Sequence, residues 1–356
     1  MRRPAVTSVK VRSVLRIGTM RGVPSVLREL GKNPAKLISE AGLDPKIFDD
    51  PDNRLSLHTR GALILHCVQV TGCPHFGLLV GQRAGLDSLG LVGLLVKHSP
   101  DVNTALRRLA RDFHLHANGV AVDLKVEGGR AAFTYGICEP GVPGVDQTCD
   151  GALAAILNVM HELCGPDFKP TEAWFAHARP EDVDPYRKFF QVDLRFDAEI
   201  NALFFSSTWL TRRLPATEPE VTRLLQDKIE ALEQQNPREF PDQVQSVMRT
   251  ALAFDRVRAD QLAAMFSMNV RTYHRHLTIH GTSHQELLNR TRFAVACQLL
   301  EGSSRNLAAT ADLLGYAEPR SFNRAFRRWS GMTPARWRKE RASTANVRFK
   351  AVDSPR

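Results

Sequence analysis

At 356 residues, 43% apolar and 24% charged, the chain has the composition of a soluble globular protein at a length where two domains are the natural expectation. Its formal charge of +10 is unevenly held: residues 1–255 carry 30 Lys/Arg against 31 Asp/Glu, residues 256–340 carry 14 against 6, and the last sixteen carry four against one. That distribution excludes a solubility charge spread over the whole surface, and a basic block of domain size beside a neutral one is the electrostatic footprint of nucleic-acid binding.

The N-terminus, MRRPAVTSVKVRSVLRIGTMRG, is basic but lacks the apolar core and small-residue cleavage site of a signal peptide. Residues 21–113 are expected to be helical. Asn33 or Pro34 opens NPAKLISEAG, Leu55–Val70 carries an apolar face, and Pro100–Asp101 opens DVNTALRRLARDF, with Leu106, Leu109 and Phe113 on one side. Within this stretch LGLVGLLV at 89–96 is the nearest approach to a membrane span, and it is far short of the roughly 18 residues one needs. A soluble, cytoplasmic protein without membrane contact follows.

The period then changes from helical to alternating. VAVDLKV (120–126), the turn EGGR and AAFTYGI (131–137) predict a β-hairpin. A long helix is expected from about Asp146 to Leu163, then strands at 172–177 and 202–207 flanking a helix that contains PYRKFF (185–190). TRRLPATEPE at 211–220 marks a boundary. The helix after it, 221–235, places Val221, Leu224, Leu225 and Leu232 along one side, a face that either pairs with a second subunit or packs on its own domain.

From there to about Arg341 the pattern is helical throughout and contains two similar helix-turn-helix units. In the first, DQLAAMF (260–266) leads through SMN to VRTYHRHL (270–277). Asn269 is placed to cap the second helix; Tyr273 and Leu277 point inward, and Arg271, His274 and Arg275 point out. In the second, NLAATADLLGY (306–316) leads to PRSFNRAFRRWS (319–330), where Phe322, Phe326 and Trp329 share a face. Pro319 suits the first turn of that helix. Between the units, SHQELLNRTRFAVACQLLEG forms a helix of roughly 25 Å, at 1.5 Å per residue. The two recognition helices would then stand about 34 Å apart, one turn of B-DNA.

Residues 256–340 resemble the DNA-binding domain of AraC/XylS-type transcription regulators, most densely in LLGYAEPRSFNRAFRRWSGMTPARWR. Asn269 and Tyr273 stand where that family usually has Ser and Leu, and His274 where glutamine is commoner. LGLVGLLVKHSPDVNTALRRLARDF and VDLRFDAEINALFFSSTWLTRRLPATEPEV resemble the arabinose-binding-type effector domain of ornithine-utilisation and some virulence regulators. The resemblance implies an α+β effector and dimerisation domain (1–215), a linker helix region (216–238), an all-α DNA-binding domain with two helix-turn-helix units joined by a linker helix (239–345), and a tail (346–356). It further implies an activator controlled by a small-molecule effector, a homodimer, and RNA polymerase as a partner besides double-stranded DNA.

On chemistry, Arg271, His274, Arg275, Arg320, Asn323 and Arg324 are the expected base contacts, since arginine is the commonest reader of guanine. Arg327, Arg328, Arg336, Arg338 and Lys339 are the expected phosphate contacts, which position without specifying. His98, His114, His116 and Trp174 are possible effector-pocket residues. Neither the six cysteines nor the HxH at His114/His116 has the spacing of a metal site, and no cofactor is expected. G-x-S-x-G, Walker-type, H-E-x-x-H and G-x-G-x-x-G motifs are missing, so no enzyme is predicted. An architectural DNA binder would have no use for the separate neutral domain.

Overall fold

The computed structural model describes residues 13–215, 219–235, 239–252 and 257–340. The expected tail, 346–356, lies outside them. In the first part, short helices α1 (Val23–Glu29), α2 (Pro34–Glu40), α3 (Leu57–Thr71), α4 (Phe76–Gly81), α5 (Leu91–Lys97) and α6 (Val102–Asp112) precede the sheet, and α7 (Val145–Cys164) and α8 (Asp184–Phe190) follow its hairpin. Side-chain caps fix several starts: Asn33 accepts from Lys36 N, Ser56 from Thr59 N and Asp101 from Thr104 N.

Two three-residue strands, β1 (Val14–Arg16) and β2 (Arg54–Ser56), pair antiparallel, which corrects the expectation of helix throughout 21–113. The main sheet has five strands in the order β3-β4-β7-β5-β6: β3 (Val120–Glu127), β4 (Arg130–Ile137), β5 (Glu172–Trp174), β6 (Asp193–Arg195) and β7 (Asn201–Ser206). Pairing is antiparallel except between β5 and β6. The expected hairpin is β3–β4, with Val120 opposite Ile137 and Glu127 opposite Arg130. The strand expected over 172–177 stops at Trp174, because the amide of Ala176 turns to the Asn201 side chain and leaves the ladder.

One face of the sheet packs on α7: Phe133, Tyr135, Leu203 and Phe205 share a buried core with Leu153, Leu157 and Met160. A second, separate core belongs to the C-terminal helices. α10 (Phe240–Leu252), α11 (Ala259–Met265), α12 (Val270–Ile279), α13 (His284–Gly302), α14 (Leu307–Leu313) and α15 (Pro319–Ser330) enclose Val244, Met248, Leu262, Tyr273, Leu277, Leu299, Phe322 and Phe326. A last helix, α16, runs over 334–340. Between the two cores, α9 (Pro219–Gln235) lies against α5 and buries Ile229, while Leu224 stays 57% exposed. The apolar face expected on this helix is thus divided: Ile229 packs inside, and Val221, Leu224 and Leu232 face out.

The two parts meet where α10 packs on β3 and β4, on the face carrying Ala121, Thr134 and Gly136. A Cβ at Gly136 would sit 2.2 Å from the Nε of Arg249, so only glycine permits that approach. Farther along the joint, Ser304 donates to Asp197 through its amide (2.8 Å) and hydroxyl (2.7 Å), Arg305 pairs with Glu199 at 3.1 Å, and Ala178 N donates to Gly302 O at 2.6 Å.

Candidate nucleic-acid interface

α12 starts at Asn269, whose Oδ1 accepts from Thr272 N at 2.8 Å, the cap its sequence position predicts. Tyr273 and Leu277 are fully buried, and the Tyr273 hydroxyl lies 3.0 Å from His284 Nδ1. Their burial fixes the rotation of α12, so Arg271, His274 and Arg275 are all exposed. α14 is capped in the same way by Asn306, which accepts from Ala309 N at 2.8 Å.

α15 repeats the arrangement. Pro319 opens the helix, and Gly331 closes it in the left-handed conformation at φ 80°, its amide bonding Arg327 O at 2.9 Å. Phe322 and Phe326 are fully buried; Trp329, expected in the core, is half-buried against Phe293 and Tyr316. Arg320, Arg324, Arg327 and Arg328 are exposed, and Asn323 is half-buried beside them. Arg324 makes one weak contact, Nη2 to Ser321 Oγ at 3.3 Å, which leaves the guanidinium free to bond elsewhere.

The expected phosphate contacts divide. Arg327, Arg328 and Lys339 are exposed, and Arg336 is exposed but paired with Glu340 at 2.7 Å. Arg338 is placed otherwise. Its Nη2 donates to Arg305 O at 2.7 Å and its Nε to Leu300 O at 3.2 Å, so the guanidinium ties α16 to the end of α13. Two of its five N–H donors are thus spent on main-chain carbonyls.

The possible effector residues are scattered. Trp174 packs tilted against Phe204 (4.5 Å between centroids), with the Arg195 guanidinium 4.2 Å from its ring centroid, on the sheet face away from α7. His116 is buried beside a small cavity; burial, with Arg16, Arg60 and Arg54 nearby, lowers its pKa to about 3. His98 and His114 line neither this cavity nor a larger one at the joint. The larger cavity, about 320 Å³, lies at the joint between the two parts and is lined by β4, α7, α10 and α13. Sequence reasoning missed its polar groups. One is His177, whose Nε2 donates to Asp150 Oδ1 (2.9 Å) and Nδ1 to Ala178 O (2.7 Å), while Tyr186 donates to Asp150 Oδ2 (2.7 Å). Burial alone would lower the His177 pKa, but the Asp150 carboxylate reverses this and carries it to about 9. With both ring nitrogens engaged, the imidazolium has no free site for proton transfer. Another is Arg249, whose only signal was a lone arginine in the stretch VMRTAL.

The chain is similar in sequence to known transcription regulators. Residues 31–214 match the arabinose-binding domain of AraC transcription regulator, N-terminal, and residues 262–340 a helix-turn-helix domain. The HTH-type transcriptional regulator VirS of Mycobacterium tuberculosis is 26% identical over 92% of this chain and 96% of its own. The ornithine utilization regulator of Pseudomonas aeruginosa is 25% identical over 88% and 93% respectively. The crystal structure of transcriptional regulator CdpR from Pseudomonas aeruginosa, 18% identical, covers 90% of this chain and 98% of its own with a TM-score of 0.44.

Proposed function

The chain belongs to the AraC transcription regulators that carry an arabinose-binding-type N-terminal domain, and on that premise we propose how it contacts DNA and how it is controlled. The observation that carries the reading is the pairing of α12 and α15. Each is a helix rotated by buried aromatic or aliphatic residues so that a basic face is exposed. Arg271, His274 and Arg275 enter one major-groove segment, and Arg320, Asn323 and Arg324 the next, about one turn of duplex away. Arg327, Arg328, Arg336 and Lys339 hold phosphates; Arg338 holds α16 in place. The chain divides into an effector and dimerisation domain (1–215), a linker region (216–238) and a DNA-binding domain (239–345). It acts in the cytoplasm as a homodimer and an activator, with RNA polymerase as a further partner and no catalytic step of its own.

Control is a population shift: a small molecule bound by the effector domain favours one arrangement of the joint and so changes DNA affinity. Full-length Arg324→Ala and Arg328→Ala test the readout. Arg324→Ala should lose about 1–3 kcal/mol on the cognate site and relax preference at one position. Arg328→Ala should weaken cognate and random duplex alike and lower the salt slope by about 1. Equal loss by both variants on both duplexes would reduce Arg324 to a positioning contact.

A further inference from the structure

We propose that the cavity at the domain joint is the effector site and that it takes a small monocarboxylate, its anionic head on Arg249 and its apolar body along α3 and α13. This rests on the reading of the protein as a ligand-controlled regulator, and it adds where the ligand sits and what chemistry it carries.

The argument begins with an unanswered charge. The Arg249 Nη1 is shut off from solvent and has no hydrogen-bond partner. Its Nη2 donates to Gln298 Oε1, and Gln298 Nε2 in turn donates to Ile137 O at 2.8 Å, so the guanidinium is held in place across the joint. Among the described residues no carboxylate pairs with it. Burial lowers its pKa, the response expected of a cation without a counter-ion. A guanidinium with a buried, unpartnered N–H and no counter-ion favours an incoming anion.

A second cation borders the smaller cavity. Arg60, 7% exposed, has an unpartnered Nε and stands against Tyr135, a residue that lines both cavities. Cys149 lies within the field of both guanidiniums. Three acids in or beside the cavity have partners of their own. Glu199 is held by Arg195 and Arg305, each at 3.1 Å, Glu301 accepts from Trp337 Nε1 at 2.9 Å, and Asp150 is matched by His177. Burial raises the pKa of Asp146, which weakens its competition for the cation.

Leu65 and Val68 from α3, Val295 and Leu299 from α13, and Leu252 from α10 give the cavity an aliphatic stretch of wall, beside the polar side chains of Gln69, Thr134, Asn201 and Thr250. A phosphate dianion would need more donors than one fixed guanidinium supplies. One carboxylate on an apolar body fits both ends. Held between Arg249 of the DNA-binding part and β4 and α7 of the effector part, it would bridge the two and bias their arrangement.

The test is calorimetric titration of the full chain with butyrate, hexanoate, octanoate and phenylacetate, at matched sodium, with octanamide as the neutral control. Binding of a labelled random duplex is read on the same preparations. At least one carboxylate should bind at least tenfold more tightly than octanamide. Arg249→Met should lose that advantage while octanamide binding stays unchanged, and Arg249→Lys should keep most of it. Leu65→Trp, which fills the cavity from α3, should lose acid and amide together, and it serves should Arg249→Met fail to fold. Binding by none of the four acids, or equal binding of acid and amide, would overturn the proposal. So would undiminished acid binding by Arg249→Met or Leu65→Trp. Duplex binding that persists in those cases leaves the regulator standing, whereas loss of duplex binding in the unaltered chain would sink the regulator reading itself.

Discussion

Asp150 accepts from both His177 and Tyr186, and this cluster makes a pH prediction whose sign can be worked out. The folded pKa of His177 is raised to about 9, above the ordinary 6.5. Its contribution to stability is therefore fully present below about pH 6.5 and is lost as pH rises through about 9. His116, depressed to about 3, acts on the other side, removing stability as pH falls below about 6.5, so the two windows do not overlap. His177→Gln should destabilise the protein at pH 7, on the order of 1–3 kcal/mol, and flatten the fall between pH 7 and 9.5 in denaturant titrations. An unchanged slope over that range would remove the imidazolium from the account. Neither this cluster nor Arg249 was legible in the sequence, because each depends on partners from distant segments: Asp150 and His177 are 27 positions apart, Arg249 and Gln298 49. The carbonyl partners of Arg338, 33 and 38 positions away, were hidden for the same reason.

Among the elements, the recognition helices were the most legible, since caps and period are local. Asn269 caps α12 and Pro319 opens α15 as the sequence predicts, and the spacing of Phe322 and Phe326 set the rotation of α15. Three-residue strands such as β1, β2 and β6 are too short to show a period of two, and only long-range pairing defines them. Local control of α12 makes a prediction. Asn269→Ala removes the bond to Thr272 N and should cost about 1 kcal/mol in thermal or denaturant unfolding. It should also weaken protection of the DNA segment assigned to α12 before that assigned to α15. Equal weakening of both segments would show that the units do not bind separately.

Over the whole molecule, the second helix-turn-helix unit is tied to the effector part just ahead of α14. Asp197 holds Ser304 by amide and hydroxyl while itself adopting the left-handed conformation at φ 51°. A non-glycine residue there carries strain that the two bonds offset. Asp197→Gly removes the bonds and the strain together. Hydrogen exchange should then speed at the Ser304 and Ala178 amides, with the two buried cores keeping their protection. Unchanged exchange at Ser304 would mean that the clamp contributes nothing to the joint.

The account stands or falls on one chain placing two separate helices on duplex DNA. Site selection from a random duplex library, followed by footprinting of full-length protein, measures this directly. The account predicts two protected segments about one helical turn apart for each chain. Arg271→Ala with Arg275→Ala should erase one segment, and Arg320→Ala with Arg324→Ala the other. A single protected segment, or the same segment lost by both pairs of substitutions, would contradict it.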